Sequence, residues 1–249
     1  MINIKTDHEI EYMRQAGKIV GETLAMLQEV IRPGITTADL DIMAEEYINK
    51  CGAKPSFKGY YGFPASLCTS INSEVVHGIP SKSVVLKEGD IISIDCGAIL
   101  NGFHGDAART YPVGNVSAEA QKLIQVTKES FFKGVEKAVI GNRLTDISHA
   151  IQEYAESFGY SMVRDYVGHG IGRNMHEDPE VPNFGRPHRG PKLAKGMVLA
   201  IEPMVNLGDY HVKVMPNNWT VVTVDGSLSS HYENTVAITE NGPEILTLV

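Results

Sequence analysis

The chain has 249 residues, 43% hydrophobic and 21% charged, with a formal net charge of −8. That composition is ordinary for a globular protein long enough to bury a sizeable core, and the acidic balance argues against a nucleic-acid backbone or an anionic membrane surface as the main partner. No apolar run approaches the roughly 18 residues of a membrane span.

Residues 1–7 lack the charged and apolar regions of a signal peptide. The three cysteines Cys51, Cys68 and Cys96 are neither even in number nor at CxxC spacing, which argues against a disulfide framework or a thiolate zinc site. A cytoplasmic α and β protein is expected.

Thr6-Asp7-His8-Glu9 has the capping-box pattern, in which a hydroxyl and a carboxylate each satisfy the other's backbone N–H. Ile10, Met13, Gly17, Val20, Leu24 and Leu27 follow at steps of three and four, predicting an amphipathic helix that Pro33-Gly34 stops. A second helix is predicted from near Thr37, burying Leu40, Met43 or Ala44, Tyr47 and Cys51 and closing on Gly52 as a C′ glycine. Segments rich in glycine, proline and aromatics follow, then a strand near residues 83–86. Beyond the hairpin described next, Ser117 starts a third helix, Gly141-Asn142 breaks it, and a fourth carries Ile147, Ile151, Tyr154 and Phe158 up to Gly159.

Between these helical pairs, two apolar and β-branched runs flank Asn101-Gly102, the strongest short hairpin signal. With those residues in a type I′ turn, Leu100 faces Phe103, Gly97 faces Asp106 and Asp95 faces Ala108. The side-chain period of two then puts Asp95, Gly97, Asp106 and Ala108 on one face. The two carboxylates become diagonal neighbours, about 7–8 Å apart at the backbone. Two ionised carboxylates on a half-buried face need a shared proton, a partner cation or a metal. Arg109 is aimed at the opposite face by alternation, which favours one or two divalent ions. The competing arrangement leaves one Asp capping a turn and the other solvated on an edge.

The second half echoes the first at an offset of 107 residues. Gly34 falls on Gly141, Asp39 on Asp146, Glu46-Tyr47 on Glu153-Tyr154, Gly52 on Gly159, Leu86 on Leu193 and Gly89 on Gly196. Punctuating residues that hold one offset through helices and strands indicate an internal duplication. The same shift places Asp95 on Glu202, each a carboxylate ending an apolar strand, so a pseudo-two-fold brings the two together near its axis. His169, between Gly168 and Gly170, and Glu233, after the Asp225-Gly226 turn, fit the same pocket. Four carboxylates and one imidazole without thiolate suit two hard or borderline ions, Mn²⁺, Fe²⁺, Co²⁺ or Zn²⁺. Alternation also puts His104 and His231 on the faces of Asp106 and Glu233, but five ligands already fill two sites and these are left out.

The segments Ser70–Pro80 (with His77-Gly78-Ile79-Pro80), Ile94-Asp95-Cys96-Gly97, Gly105-Asp106, Gly168–Gly172, Met175-His176-Glu177, Ile201-Glu202-Pro203 and Tyr232-Glu233-Asn234-Thr235 resemble the type I methionine aminopeptidases, over essentially the whole chain. The resemblance implies an α+β pita-bread fold. It has a central curved antiparallel sheet, helices on its outer face and an internal pseudo-two-fold. Residues 1–249 form one catalytic domain, with halves at roughly 1–110 and 111–249.

It further implies that Asp95 binds one metal, His169 and Glu202 the other, and that Asp106 and Glu233 bridge them. A bridging water attacks the first peptide carbonyl with Glu202 as general base. His176 stabilises the oxyanion, and His77 contacts the scissile nitrogen. The implied methionine pocket is Tyr60, Phe63, Cys68, Met175 and Trp219, with Phe63 and Met175 standing where the family often has tyrosine and phenylalanine. A monovalent cation is implied near Asn72, Glu74 and Ser229, Glu74 replacing the family's frequent valine at a position that supplies a backbone oxygen.

The implied substrates are nascent polypeptides starting with methionine before a small residue. The implied setting is a monomeric, bacterial-type cytoplasmic enzyme working near the ribosome, without nucleic-acid or membrane contacts. Two other readings share parts of this pattern. A prolidase-type dipeptidase would keep all five ligands but usually carries an extra N-terminal domain, whereas the first helix here starts at Thr6. A non-catalytic binding protein should have lost a ligand, and none is missing.

Overall fold

Helix α1 (Asp7–Val30) starts where Thr6 predicts it: the Thr6 hydroxyl accepts the Glu9 N–H at 3.2 Å and the Glu9 carboxylate accepts the Thr6 N–H at 3.0 Å. The structure, a computed structural model, describes residues 1–249 and adds α2 (Thr37–Lys50), α3 (Ala118–Val135) and α4 (Leu144–Glu156). Every strand pair is antiparallel.

Two strand pairs form the centre. Ile91–Leu100 pairs with Phe103–Pro112, and Val198–Ile201 pairs with Asn234–Thr239. The halves meet where Ala108 and Glu233 exchange backbone hydrogen bonds of 3.3 and 2.9 Å. The hydroxyl of Thr235 completes the seam by taking the Asp106 N–H at 3.0 Å and donating to the Asp106 carbonyl at 2.9 Å. Helices cover this sheet in pairs. Leu24, Leu27, Leu40 and Ile48 of α1 and α2 pack with Ile92, Ile94 and Cys96, and Leu123, Phe131, Ile147 and Ile151 of α3 and α4 pack with Leu199, Ile201 and Val236. This is the expected pita-bread arrangement.

The duplication survives in detail. Gly34 donates to the Leu86 carbonyl at 2.8 Å and Gly141 to the Leu193 carbonyl at 3.2 Å, while Leu86 and Leu193 return bonds to Ile35 and Asn142 at 2.9 and 2.8 Å. Gly34 and Gly141 have φ of 93° and 94°, and Gly52 and Gly159 close their helices at 76° and 83°. Tyr47 donates to Glu22 and Tyr154 to Glu129.

Three local expectations are corrected. The strand near 83–86 is only a bridge between Val85 and Thr36, matched by one between Lys192 and Arg143, because this segment has a turn rather than a strand beside it. In α2 the buried face runs Thr37, Leu40, Ala44 and Ile48; Met43 is exposed and Tyr47 and Cys51 are half-buried. From Leu40 the buried face advances by fours to Ala44 and Ile48, which leaves Tyr47 and Cys51 at its edge. Phe158 lies beyond α4 and is exposed, past the last turn that packs.

Helix α1 approaches the hairpin closely because Gly105 lacks a side chain: a Cβ there would lie 2.8 Å from the Gly17 nitrogen and 2.9 Å from its Cα. The backbone of a packed helix cannot yield cheaply. Gly105→Ala is therefore expected to destabilise by about 1–3 kcal/mol, as overpacking does, with a Tm lower by several degrees in thermal unfolding. An unchanged Tm would show that the helix shifts freely.

Candidate active site

The hairpin has the register its turn predicts. Leu100 faces Phe103, Gly97 faces Asp106 and Asp95 faces Ala108, with Asn101 and Gly102 at φ of 53° and 80°. Asp95 and Asp106 therefore project from one face. Gly97 between them is required, since a Cβ would fall 2.9 Å from both Phe57 and Ser56. Its bareness lets that aromatic segment close against the strand beside the carboxylates.

The second half delivers the rest. His169 lies on the short strand Gly168–Gly170, opposite Ala200. Side chains in place of its flanking glycines would strike backbone oxygens, with a Gly168 Cβ 2.3 Å from Ala200 and a Gly170 Cβ 2.1 Å from Asp178. Glu202 follows the strand Val198–Ile201 and Glu233 precedes Asn234–Thr239. His169 Nδ1 donates to the Gly170 carbonyl at 2.9 Å, which leaves Nε2 with its lone pair free. That Nε2 lies 3.7 Å from Asp106 Oδ2 and 3.7 Å from Glu202 Oε1. Ligand atoms of Asp106, His169 and Glu233 all fall within 4.8 Å of one another.

Four carboxyl groups thus converge with no ammonium or guanidinium bonded to their oxygens. Arg109 turns away as alternation predicts, bonding the Glu233 carbonyl and Asn234 Oδ1 and stacking over Tyr232 at 4.3 Å. Burial raises the Asp95 carboxyl to about 7. Burial and the neighbouring carboxylates hold Asp106, Glu202 and Glu233 well above the usual range. Asp95 Oδ1, Asp106 Oδ1 and Glu233 Oε1 are buried without a hydrogen-bond partner. Burial pushes His169 down to about 3, keeping it neutral. Orphaned oxygens, repelling carboxyls and a neutral imidazole form a donor set that fits divalent cations.

A cavity of about 220 Å³ opens from these carboxyls, and all twelve site residues expected from the sequence line it. Phe63 and Trp219 meet edge to face at 5.1 Å beside Cys68 and Met175, forming an apolar wall. His176 sits exposed at the mouth, its ring 4.2 Å from that of His169 and its Nδ1 2.9 Å from the Tyr60 hydroxyl. His77 has φ of 60°, a conformation that costs a non-glycine residue about 1–3 kcal/mol and concentrates at functional sites. Burial lowers its pKa to about 4, so it enters the pocket neutral.

Phe57 and Tyr61 also line the cavity and were missed, although the aromatic run over residues 57–63 was a signal. His231, set aside on ligand count, is buried with its Nε2 pointing at Glu202 and Glu233. His104 also lies near the site, its Nδ1 bonded to the Ser56 hydroxyl at 2.8 Å. On the far side of the central strand, Ser229 donates to the Asn72 carbonyl at 2.8 Å, and the Glu74 carboxylate accepts from the Ile71 N–H at 2.8 Å.

Residues 11–240 match the sequence pattern of metallopeptidase family M24. The chain is 76% identical to a methionine aminopeptidase of Clostridium acetobutylicum, covering 100% of this chain and 99% of that one. It is 58% identical to methionine aminopeptidase 1 of Bacillus subtilis, with 100% of each covered. The crystal structure of methionine aminopeptidase from Thermotoga maritima superposes with a TM-score of 0.99 at 51% identity, again over 100% of both chains. Family pattern, relatives and fold converge on one assignment: the chain belongs to the methionine aminopeptidases of metallopeptidase family M24.

Proposed function

We propose that Asp95, Asp106, His169, Glu202 and Glu233 hold two divalent ions at the end of the cavity, where the chain hydrolyses the peptide bond after an N-terminal methionine. The observation that carries this reading is the convergence of four carboxyls, Asp106 and Glu233 buried and Asp95 and Glu202 half-buried, three of them with orphaned oxygens, on an apolar cavity. Asp95 would serve one ion, His169 and Glu202 the other, with Asp106 and Glu233 shared; Co²⁺, Mn²⁺, Fe²⁺ or Zn²⁺ suits these donors. When bound, such ions supply Lewis acidity and make water a nucleophile near neutral pH.

The chain's own groups do the rest. Glu202 accepts a proton from the attacking water and passes it to the leaving amine. Tyr60 can donate to Nδ1 of His176, which fixes the tautomer carrying a proton on Nε2 and leaves a neutral donor for the developing oxyanion. His77 meets the scissile nitrogen. The free α-amine of the substrate is cationic, and Asp95 at the acidic end attracts it; a chain extending further would clash there, which makes the enzyme an exopeptidase. Tyr60, Phe63, Cys68, Met175 and Trp219 take up the methionine side chain.

The substrates are nascent polypeptide N-termini with a small second residue, met in the cytoplasm near the ribosome by a monomer that binds neither nucleic acid nor membrane. No helix is long and apolar enough to cross a bilayer. A monovalent cation near Asn72, Glu74 and Ser229 belongs to the same reading, as does the treatment of residues 1–249 as one catalytic domain.

Met-Ala-Ser, incubated with the Mn²⁺- or Co²⁺-loaded protein, should release methionine while Ala-Pro stays intact. Cleavage of Ala-Pro alone, or of neither with metal bound, would sink this assignment. Asp106→Asn and Glu233→Gln each remove a shared ligand, so kcat should drop by more than the about 10–100-fold typical of losing an outer-shell partner. Near-normal turnover in either variant would refute the two-ion arrangement.

A pH test follows from Asp95. Its carboxyl rises from 3.8 to about 7 on folding, so unfolding releases protons between those values. The metal-free protein should be most stable below about pH 4 with respect to this group and lose that contribution as pH rises towards 7. Added Mn²⁺ should raise Tm increasingly over the same window, because it replaces those protons. A Tm without that divergence between chelated and loaded samples would contradict the buried-carboxyl account.

A further inference from the structure

Two imidazoles, not one, stand in matching places around the carboxyls. His169 Nε2 is 3.7 Å from Asp106 Oδ2 and 3.7 Å from Glu202 Oε1. His231 Nε2 is 3.7 Å from Glu202 Oε2 and 3.7 Å from Glu233 Oε2. Glu202 therefore presents one oxygen to each ring. A separation of 3.7 Å is too long for an N–H···O hydrogen bond. It suits two ligands of one ion, which at about 2.0–2.2 Å from a metal sit about 3–4 Å apart.

The backbone gives His231 the place in one half that Asp106 has in the other. Thr235 Oγ1 clamps the N–H and C=O of Asp106 at 3.0 and 2.9 Å, and Thr110 Oγ1 clamps the N–H and C=O of His231 at 2.9 and 2.8 Å. One clamp crosses the seam in each direction, so Asp106 and His231 occupy related positions in the two halves. His231 is 1% exposed and its Nε2 has no hydrogen-bond partner. Leaving such a group unsatisfied costs about 1–3 kcal/mol, and an ordinary core histidine would be bonded. Ligand atoms within 4.8 Å of one another fall into two groups, Asp106, His169 and Glu233, and Asp95, His231 and Glu233, each with one histidine.

We propose that His231 is a sixth protein ligand of the centre, binding through Nε2 the ion held by Asp95 and Glu233, so that each ion has one imidazole. This rests on the two-ion reading above. A nitrogen donor in an otherwise all-carboxylate site favours Fe²⁺, Co²⁺ or Zn²⁺ there over Mn²⁺.

The test uses full-length protein stripped with chelator and reloaded anaerobically with Co²⁺. Titration calorimetry gives the number and affinity of bound ions, and Co X-ray absorption counts imidazoles per ion. Wild type should take up two ions with an average of about one imidazole each; about one half would mean that only His169 binds and would overturn the proposal. His231→Gln should lower that count and weaken one of the two equivalents by about tenfold or more. An unchanged count with both affinities within about twofold would overturn it too. His231→Asn, too short to reach, should behave like His231→Gln, and metal-free Tm values check that both variants fold; the wild-type count decides without either. Uptake of a single ion by wild type would defeat the two-ion reading, and the imidazole count on that ion would still decide whether His231 binds.

Discussion

Mutual repulsion among four carboxyl groups, two buried and two half-buried, is the constraint on which this structure depends. Two unit charges about 4 Å apart at an effective dielectric of about 20 repel by about 4 kcal/mol, and several such pairs rival the whole stability of a domain. Asp95, Asp106, Glu202 and Glu233 can share one pocket only with protons or metal ions between them, in keeping with the upward shift of all four carboxyls and the orphaned oxygens of Asp95, Asp106 and Glu233. The helices and the two largest core clusters, with a third cluster around Phe57, Phe63, Cys68 and Met175, hold the pocket's walls in place. That is why the metal site lies at the seam, with a complete hydrophobic core on each side.

Duplication explains how such a site is built from few residues. Each half contributes a carboxylate from a central strand, Asp95 within Ile91–Leu100 and Glu202 just after Val198–Ile201, and the seam joins the halves through reciprocal Ala108–Glu233 bonds and two crossed threonine clamps. Once the backbone equivalence exists, the halves can diverge in chemistry. One half places Asp106 and the other His231 at related positions, and where the strand Gly168–Gly170 brings His169, the matching strand Leu67–Ile71 of the first half brings Cys68. Phe63, Met175 and Trp219 of the apolar wall and the mouth histidines His77 and His176 surround this frame from loops, with Cys68 on the strand Leu67–Ile71. That leaves an apolar space directly beside the carboxyls.

Much of this was legible in the chain. Asn101-Gly102 fixed a hairpin register, and with it the shared face of Asp95 and Asp106, because a type I′ turn leaves no freedom in counting. Capping residues set the helix starts at Thr6 and Ser117. Glycines at a constant offset disclosed the duplication, and local motifs identified the family and the twelve pocket residues. These signals are short-range or periodic, so they survive in one dimension.

What only the tertiary structure decided is which groups meet across the seam. The turn beside Val85, the steps of four that bury Ile48 instead of Tyr47 in α2, and the closing of Phe57 over Gly97 depend on neighbours far away in sequence. His231 is the clearest case. Alternation placed it on the face of Glu233, but a ligand count could not tell a spare histidine from one aimed at two carboxylates. Its role depends on where Thr110 holds its backbone and where Glu202 sends its second oxygen. Sequence determined the chemistry available at each position through turn geometry, caps and periodicity. Packing of the two halves determined which of those chemistries share a site, because interatomic distance is set by the whole fold.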